Sequence, residues 1–282
     1  MERAKLIWQV VCSPLPVLRE GQGGGFFKSV NMPNSKSNVK LSILFDSPDY
    51  VAIDKPAGLV TIPGRDDSAS AFKQLSSQLN LPSTGNADPR LRVVHRLDKD
   101  TSGVLLFAKH VVAQRHVSHQ FQNNKVEKQY LAIVAGNPTE QQGVIEAPLA
   151  VHPADKIRMH VSKFGRPAIT AWKVDQSFRR YALVRCFPKT GKTHQIRVHL
   201  AHIGNPLVVD PLYGPAASLL LSSFKRGYHP SRKDDERPLI ARLTLHAERL
   251  AFENLAGERV EITSPLPKDF RATLNQLSKY AR

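Results

Sequence analysis

Cysteine is nearly absent: Cys12 and Cys186 are the only two in 282 residues. They stand far apart and make neither a metal-type nor a redox-type spacing, which suits a reducing compartment. Long apolar runs are missing as well. The strongest N-terminal one, Leu6-Ile7-Trp8, is broken by Gln9. Roughly 18 to 20 apolar residues are needed to cross a bilayer, so no membrane span is expected. The same run is too short for a secretory signal, and Glu2 and Glu20 argue against an organellar transit peptide. A cytoplasmic location is the expectation. Acidic charge is the third scarcity, with 24 Asp and Glu against 40 Lys and Arg and a formal net charge of +16. What is present suffices for folding: 41% of the residues are apolar, and the length admits one large domain or two small ones.

The basic excess is unevenly placed. Residues 41–150 hold eleven basic and eleven acidic side chains, whereas residues 151–241 hold sixteen basic and six acidic. A neutral stretch beside a basic one points to a surface aimed at phosphates, with a merely solvated basic surface as the bland alternative.

Residues 21–40 are rich in Gly, Ser, Asn and Lys and read as a flexible linker, so 1–40 is expected to be a basic tail. Folded sequence is predicted from Leu41. Strands are predicted at Leu41–Phe45, Tyr50–Ile53, Val104–Phe107, Tyr130–Val134, Ile169–Val174, Tyr181–Phe187, Leu243–Ala247 and Arg259–Thr263. Phe72, Leu75 and Leu79 repeat at helical spacing after Ser68, with Pro82 closing that helix. A second helix is expected over Val111–Phe121. A third is expected over about 194–203, where Ile196, Leu200 and Ile203 share a face and Gly204 ends it. Strands dominate without a strict βαβ rhythm, which predicts an α+β domain over 41–282 with a mixed, largely antiparallel sheet flanked by helices and loops. Residues 216–238 look like a basic, partly exposed insertion.

Two cofactor-like patterns fail. Thr190-Gly191-Lys192-Thr193 mimics the end of a P-loop, but Cys186 stands where its first glycine belongs. Gly21–Gly25 is followed by Phe26 rather than the last glycine of a dinucleotide fingerprint, and no strand precedes it. His194, His199 and His202 form the most metal-like cluster, yet His194 lies off the face of the other two and Arg197 brings a cation into their midst. No cofactor and no metal are expected.

The densest cluster of chemistry-bearing residues is His95-Arg96-Leu97-Asp98-Lys99-Asp100-Thr101-Ser102-Gly103, just before the apolar strand. A carboxylate flanked by cations at a strand entrance suits nucleophilic or base chemistry, and a structural salt bridge would use the same residues. His95-Arg96-Leu97-Asp98 with Thr101-Ser102-Gly103 resembles the signature of the RluA family of pseudouridine synthases. Asp54-Lys55-Pro56-Ala57-Gly58-Leu59, Lys128-Gln129-Tyr130-Leu131-Ala132, Thr190–His199, Gly204-Asn205-Pro206-Leu207, Asp210-Pro211-Leu212-Tyr213-Gly214 and Leu245-His246-Ala247 resemble further family segments, in the family's order. Lys192 departs from the family's usual arginine and Val209 from its usual glycine. Lysine keeps charge but loses the bidentate fork, and valine disfavours positive φ.

The resemblance implies isomerisation of uridine to pseudouridine within RNA, a reaction that moves no electrons to an acceptor and transfers no group to a second substrate. It implies Asp98 as the essential catalytic residue, with Tyr130 and Arg197 as catalytic partners. Tyr130 would offer a face for the flipped uracil, and Arg197 would pair with Asp98. On spacing alone Tyr130 could be a core tyrosine and Arg197 a surface arginine. Arg96, Leu245, Lys192 and His194 are the candidate RNA contacts: Arg96 to fill the vacated stack or hold a phosphate, Leu245 to wall the uracil. The expected partner is a stem-loop of ribosomal RNA or tRNA, with no membrane and no obligatory protein partner, the chain acting as a monomer. Many relatives carry an N-terminal S4 module, for which 1–40 is too short and too rich in Gly and Ser. A non-catalytic RNA-binding protein on the same fold is the alternative.

Overall fold

The computed structural model describes residues 40–64, 69–228 and 235–281. The expected tail therefore lies outside the described residues except for Lys40, as do positions 229–234 of the expected insertion. Twelve strands and four α-helices are described. The strands are β1 (Ser42–Asp46), β2 (Tyr50–Lys55), β3 (Arg92–Val93), β4 (Ser102–Ala108), β5 (Glu127–Ala135), β6 (Gln142–Glu146), β7 (Leu149–Val151), β8 (Met159–Val161), β9 (Ile169–Ser177), β10 (Tyr181–Pro188), β11 (Leu245–Glu253) and β12 (Arg259–Thr263). The helices are α1 (Ala71–Leu79), α2 (Val111–Gln122), α3 (Gln195–His202) and α4 (Lys268–Tyr280). The main sheet runs β1-β2-β4-β11-β5-β10-β9-β6, with β3 added to β4 and β12 to β11. Only β4 and β11 pair in parallel among its described ladders. The mixed, largely antiparallel α+β architecture expected from the sequence is the one observed.

Period-2 alternation decides which helix covers which face. On β2 and β4, Val51, Ile53, Leu105 and Phe107 pack under Ala71 and Leu75 of α1. Their neighbours Tyr50, Ala52, Val104 and Leu106 pack against Ala113 and Val117 of α2 on the other face. All seven residues of β4 are consequently buried, as a strand covered on both sides requires. On β5, Ala132 and Val134 meet Ile196 and Leu200 of α3, whereas Leu131 and Ile133 meet Phe270 and Leu277 of α4. Tyr130 packs against both the α1 and the α3 clusters, so the face these two helices share is where they leave room for a site.

The parallel pair dictates one glycine. Gly103 has φ +114°, and a Cβ there would lie 2.1 Å from the carbonyl oxygen of Ala247 on β11. Thr-Ser-Gly therefore ends in glycine because only hydrogen lets the two backbones close at this register. Gly103→Ala is expected to destabilise the fold by about 3 kcal/mol or more, read as a lower urea midpoint.

Several expectations need correction. The first helix is capped by Ser70, whose hydroxyl accepts the Lys73 N–H, rather than starting after Ser68. It ends at Asn80 in the left-handed conformation, two residues before Pro82. The late strand begins at Leu245 and continues to Glu253. The sequence pattern does not predict strands β3 and β6 to β8 or helix α4. Leu219, in the expected insertion, and Ile240 just after it bond through their backbones and are buried against α4. Val209 needs no positive φ. Its carbonyl accepts the Thr244 N–H and its side chain is buried in that cluster. No helix among the described residues is long and apolar enough to cross a membrane.

Candidate active site

The loop that carries Asp98 is fastened from below. The amine of Lys55, at the end of β2, is wholly buried and donates to the carbonyls of Pro56, Leu59 and Lys99. Burial lowers its pKa to about 8 against the opposing pull of Asp100 and Asp98. Thr61 closes a two-way bond with Leu97, accepting its N–H at 3.1 Å and donating to its carbonyl at 2.9 Å. His95 accepts the Leu106 N–H from β4 and stacks on Phe121, and its pKa falls to about 3 through burial and the charge of Lys128. A neutral imidazole thus serves as a fixed acceptor on β4 between the segments where β11 and β3 pair. These contacts leave Arg96 exposed and Asp98 half-buried at the rim.

On the opposite side, Gln195 builds the turn before α3. It is buried, and its carboxamide accepts from Thr190 Oγ1 and the Lys192 N–H while donating to the Ile169 carbonyl and Thr170 Oγ1. All its bonding capacity toward the turn is used, which is why Thr190–His194 holds one shape. His194 takes the left-handed conformation, φ 54°, at the entrance to α3.

Arg197 projects from α3 and is almost wholly buried. Its Nε and Nη2 donate to the two oxygens of Asp210 at 2.7 Å each, and its Nη1 donates to Asp98 Oδ2 at 3.0 Å. Burial opposes its charge, but the bonds to Asp210 and the carboxylates of Asp210 and Asp98 together hold its pKa above the ordinary arginine value. Asp210 is buried and also accepts the N–H groups of Leu212 and Tyr213. The guanidinium lies over the ring of Tyr213, 5.1 Å from its centroid. Tyr213 accepts the Met159 N–H, and its hydroxyl shares a hydrogen bond of 2.9 Å with His194 Nδ1. The other ring nitrogen of His194, Nε2, lies 3.9 Å from Asp98. Burial lowers the His194 pKa, partly offset by the charge of Asp98.

Tyr130 enters from β5, opposite Ala247 on β11 and Cys186 on β10. Burial and the charge of Asp98 push its phenol well above the ordinary tyrosine pKa. Leu245, at the start of β11, completes an apolar wall. The cavity between these groups is about 610 Å³ and is lined by Arg96, Asp98, Tyr130, Lys192, His194, Arg197 and Leu245, all seven site candidates read from the sequence.

Three further residues of the site were not singled out. Asp210 and Tyr213 lie in the Asp-Pro-Leu-Tyr-Gly run, whose sequence marks a family segment without marking a role for either side chain. Lys128 lines the cavity beside Tyr130, and its pKa falls to about 8 through burial and the charges of Lys189 and Lys192. The histidine cluster is dispersed: His199 is buried and bonded to Thr170 and Ala147, while His202 is exposed.

A ten-stranded mixed sheet with an aspartate held by a buried arginine before its parallel junction defines an α+β fold with a polar cleft suited to nucleophilic or base chemistry. Comparison with known proteins makes the class specific. The RNA pseudouridylate synthase family profile matches residues 49–202. Ribosomal large subunit pseudouridine synthase D of Xanthomonas campestris is 37% identical over 249 residues, covering 85% of this chain and 70% of the relative. Its counterpart in Nitrosomonas europaea is 39% identical over 240 residues, covering 85% and 66%. The solved human RNA pseudouridylate synthase domain-containing protein 1 superimposes with a TM-score of 0.63 at 27% identity, covering 83% of this chain and 86% of that one. The chain belongs to the RNA pseudouridine synthase family, and it is an isomerase of uridine in RNA.

Proposed function

We propose that Asp98 is the catalytic residue of a uridine isomerisation on ribosomal large-subunit RNA. The observation that carries this reading is the Asp98–Arg197 bond of 3.0 Å at the mouth of a cavity walled by Tyr130 and Leu245. The substrate class rests on the names of the relatives, which specify the large ribosomal subunit. A tRNA stem-loop is the other RNA the sequence suggested, but the relatives' names favour the first.

The target uridine must leave its stack, at a cost of a few kcal/mol. Tyr130 returns part of this by stacking, worth about 1 to 3 kcal/mol per base. Arg96, exposed at the rim, fills the gap or takes a backbone phosphate. Asp98 then acts at the sugar, either attacking C1′ or assisting proton loss at C2′ as the N1–C1′ bond breaks. The freed uracil turns in place, and C5 bonds to C1′ with loss of the aspartyl ester or return of the C2′ proton. The C5 proton leaves to solvent while N1 is protonated. The raised phenol pKa makes Tyr130 a poor base in the resting enzyme, so in the second route Asp98 receives the proton. Arg197 keeps the carboxylate oriented toward the cavity. Lys192 and Lys128 supply positive charge beside it for the flanking phosphates.

The test is tritium release from 5-³H-uridine-labelled large-subunit RNA in excess EDTA. Release with the RNA chain intact is expected. Strand cleavage abolished by EDTA would instead indicate a metal-dependent hydrolase. RNA affinity is expected to fall steeply with salt, at a slope of about −0.7 per single-strand phosphate neutralised.

A further inference from the structure

A second cationic site lies at the other end of β10. The β9–β10 turn places Arg179 and Arg180 at an exposed tip, closed by the Phe178 N–H on the Tyr181 carbonyl. The Arg179 N–H also bonds to the Ala281 carbonyl just beyond α4, which fixes this tip to the C-terminal helix. The insertion folds onto the same place. After the buried anchor Leu219 it makes a 3-10 turn, Leu221–Ser223, and Phe224 packs edge-on against Tyr181 with ring centroids 6.0 Å apart. Lys225 then lies over the rings of Tyr280 and Tyr228, at 4.4 and 5.0 Å. The result is a cavity of about 280 Å³ lined by Arg179, Arg180, Lys225, Arg226, Ser222 and Ser223, along with Tyr181, Phe224 and Ala281.

Among the described residues, four cations line this cavity and no carboxylate does. None of the four forms an ion pair with a carboxylate among the described residues, although most other arginines on the sheet do, such as Arg185 with Asp175 and Arg259 with Glu127. Glu236 stands near Ser222, but its oxygens are occupied by the Ser222 hydroxyl and the N–H groups of Leu221 and Ser222. Four cations with one carboxylate nearby still repel one another, and a bound anion reduces that cost. The volume falls below the roughly 300 to 1,000 Å³ of small-molecule clefts, which suits a phosphate with its ribose better than a whole cofactor. Tyr228 and Tyr280 add aromatic faces beside the cations, a combination that favours nucleic acid over a free ion. The site lies at the far end of β10 from the catalytic cavity, a strand whose eight residues at about 3.3 Å each span about 25 Å, and toward the α4 side of the sheet, so RNA joins the two sites around the exposed β9–β10 tip.

We propose that this pocket is a second RNA-backbone site, which grips the phosphates of the paired stem that flanks the target loop. It rests on the reading of the chain as acting on structured RNA. An RNA held at Asp98 reaches it only when its stem extends several base pairs beyond the loop. The site therefore discriminates by the length of the stem and not by its sequence, since phosphate contacts position a partner without reading bases.

The test compares binding of two RNAs to the full chain carrying Asp98→Asn: a hairpin with a stem too short to span the separation, and the same hairpin with its stem lengthened past it. Arg179→Ser/Arg180→Ser/Arg226→Ser is expected to weaken binding of the long hairpin about tenfold and to flatten its salt slope by about 2 to 3. Binding of the short hairpin should be unchanged. Equal affinities for the long hairpin with and without the substitutions would overturn the proposal, and so would equal losses on both RNAs. Arg226→Glu alone, on the exposed insertion, should show the same selectivity at smaller amplitude and covers the event that the triple variant does not fold. Because the readout is binding, it stands or falls apart from the role assigned to Asp98.

Discussion

Asp98→Asn is expected to abolish pseudouridine formation, with a loss on the order of 10⁴-fold or more, while RNA affinity stays within about threefold of the unsubstituted chain. The two halves of this result follow from one geometry. Asparagine keeps an oxygen that can accept from Arg197 Nη1, and Arg197 is held independently by two bonds to Asp210. The loop is held by Lys55, Thr61 and His95 rather than by the Asp98 carboxylate. Neither the fold nor the cavity therefore depends on the charge that is removed. The chemistry does depend on it: a neutral amide can neither attack C1′ nor take a proton from C2′. Affinity should not fall, because an anion is being withdrawn from a surface that meets phosphates. Single-turnover tritium release and filter binding measure the two quantities on the same preparation. Residual isomerisation within a hundredfold of normal would remove Asp98 from its role, and lost binding with a normal melting curve would show that it holds RNA instead.

The parts of this molecule legible in the sequence are those in which local pattern and chemistry coincide. Strands such as Tyr50–Lys55 and Tyr181–Pro188 announce themselves by apolar residues between turn signals, and Ile196, Leu200 and Ile203 mark α3. Helix α4 does not. Its thirteen residues bury only Phe270, Thr273 and Leu277, so its apolar stripe is too thin to read without the surface it covers. Strand β6 buries Ile145 alone and has a glycine second, and β7 and β8 are three residues each. At the site, Asp98, Tyr130 and Arg197 stand out because familiar segments surround them. Asp210 does not, since an aspartate before a proline reads as a turn residue until α3 brings Arg197 against it. Lys55 reads as a surface lysine in a turn, whereas its amine is the buried knot that ties three carbonyls together. The Asp210–Arg197 fork and the Lys55 bond to Lys99 both arise only when the fold closes, which leaves no periodicity.

The Asp210 contact carries the second large expectation. Asp210→Ala leaves the Arg197 guanidinium buried with Asp98 as its one remaining carboxylate, and removal of one partner from a buried pair costs about 3 to 5 kcal/mol. For a chain of this size each kcal/mol is worth about 2 to 4 °C, so the melting temperature should fall by roughly 6 to 20 °C. Activity should fall further than stability explains. Freed from its fork, Arg197 can turn two nitrogens toward Asp98 and draw the carboxylate out of line with the cavity, which lowers kcat while KM for RNA stays nearly constant. Asp210 is in this sense a positioning residue. The double variant Arg197→Met/Asp210→Leu separates the two effects, because a well-packed apolar pair often matches a buried ion pair in stability. It should recover most of the melting temperature lost in Asp210→Ala and none of the turnover. If the double variant instead regains activity along with stability, then Asp210 and Arg197 serve only to hold the fold, and the orientation of Asp98 must come from His194 and the loop fastened by Lys55.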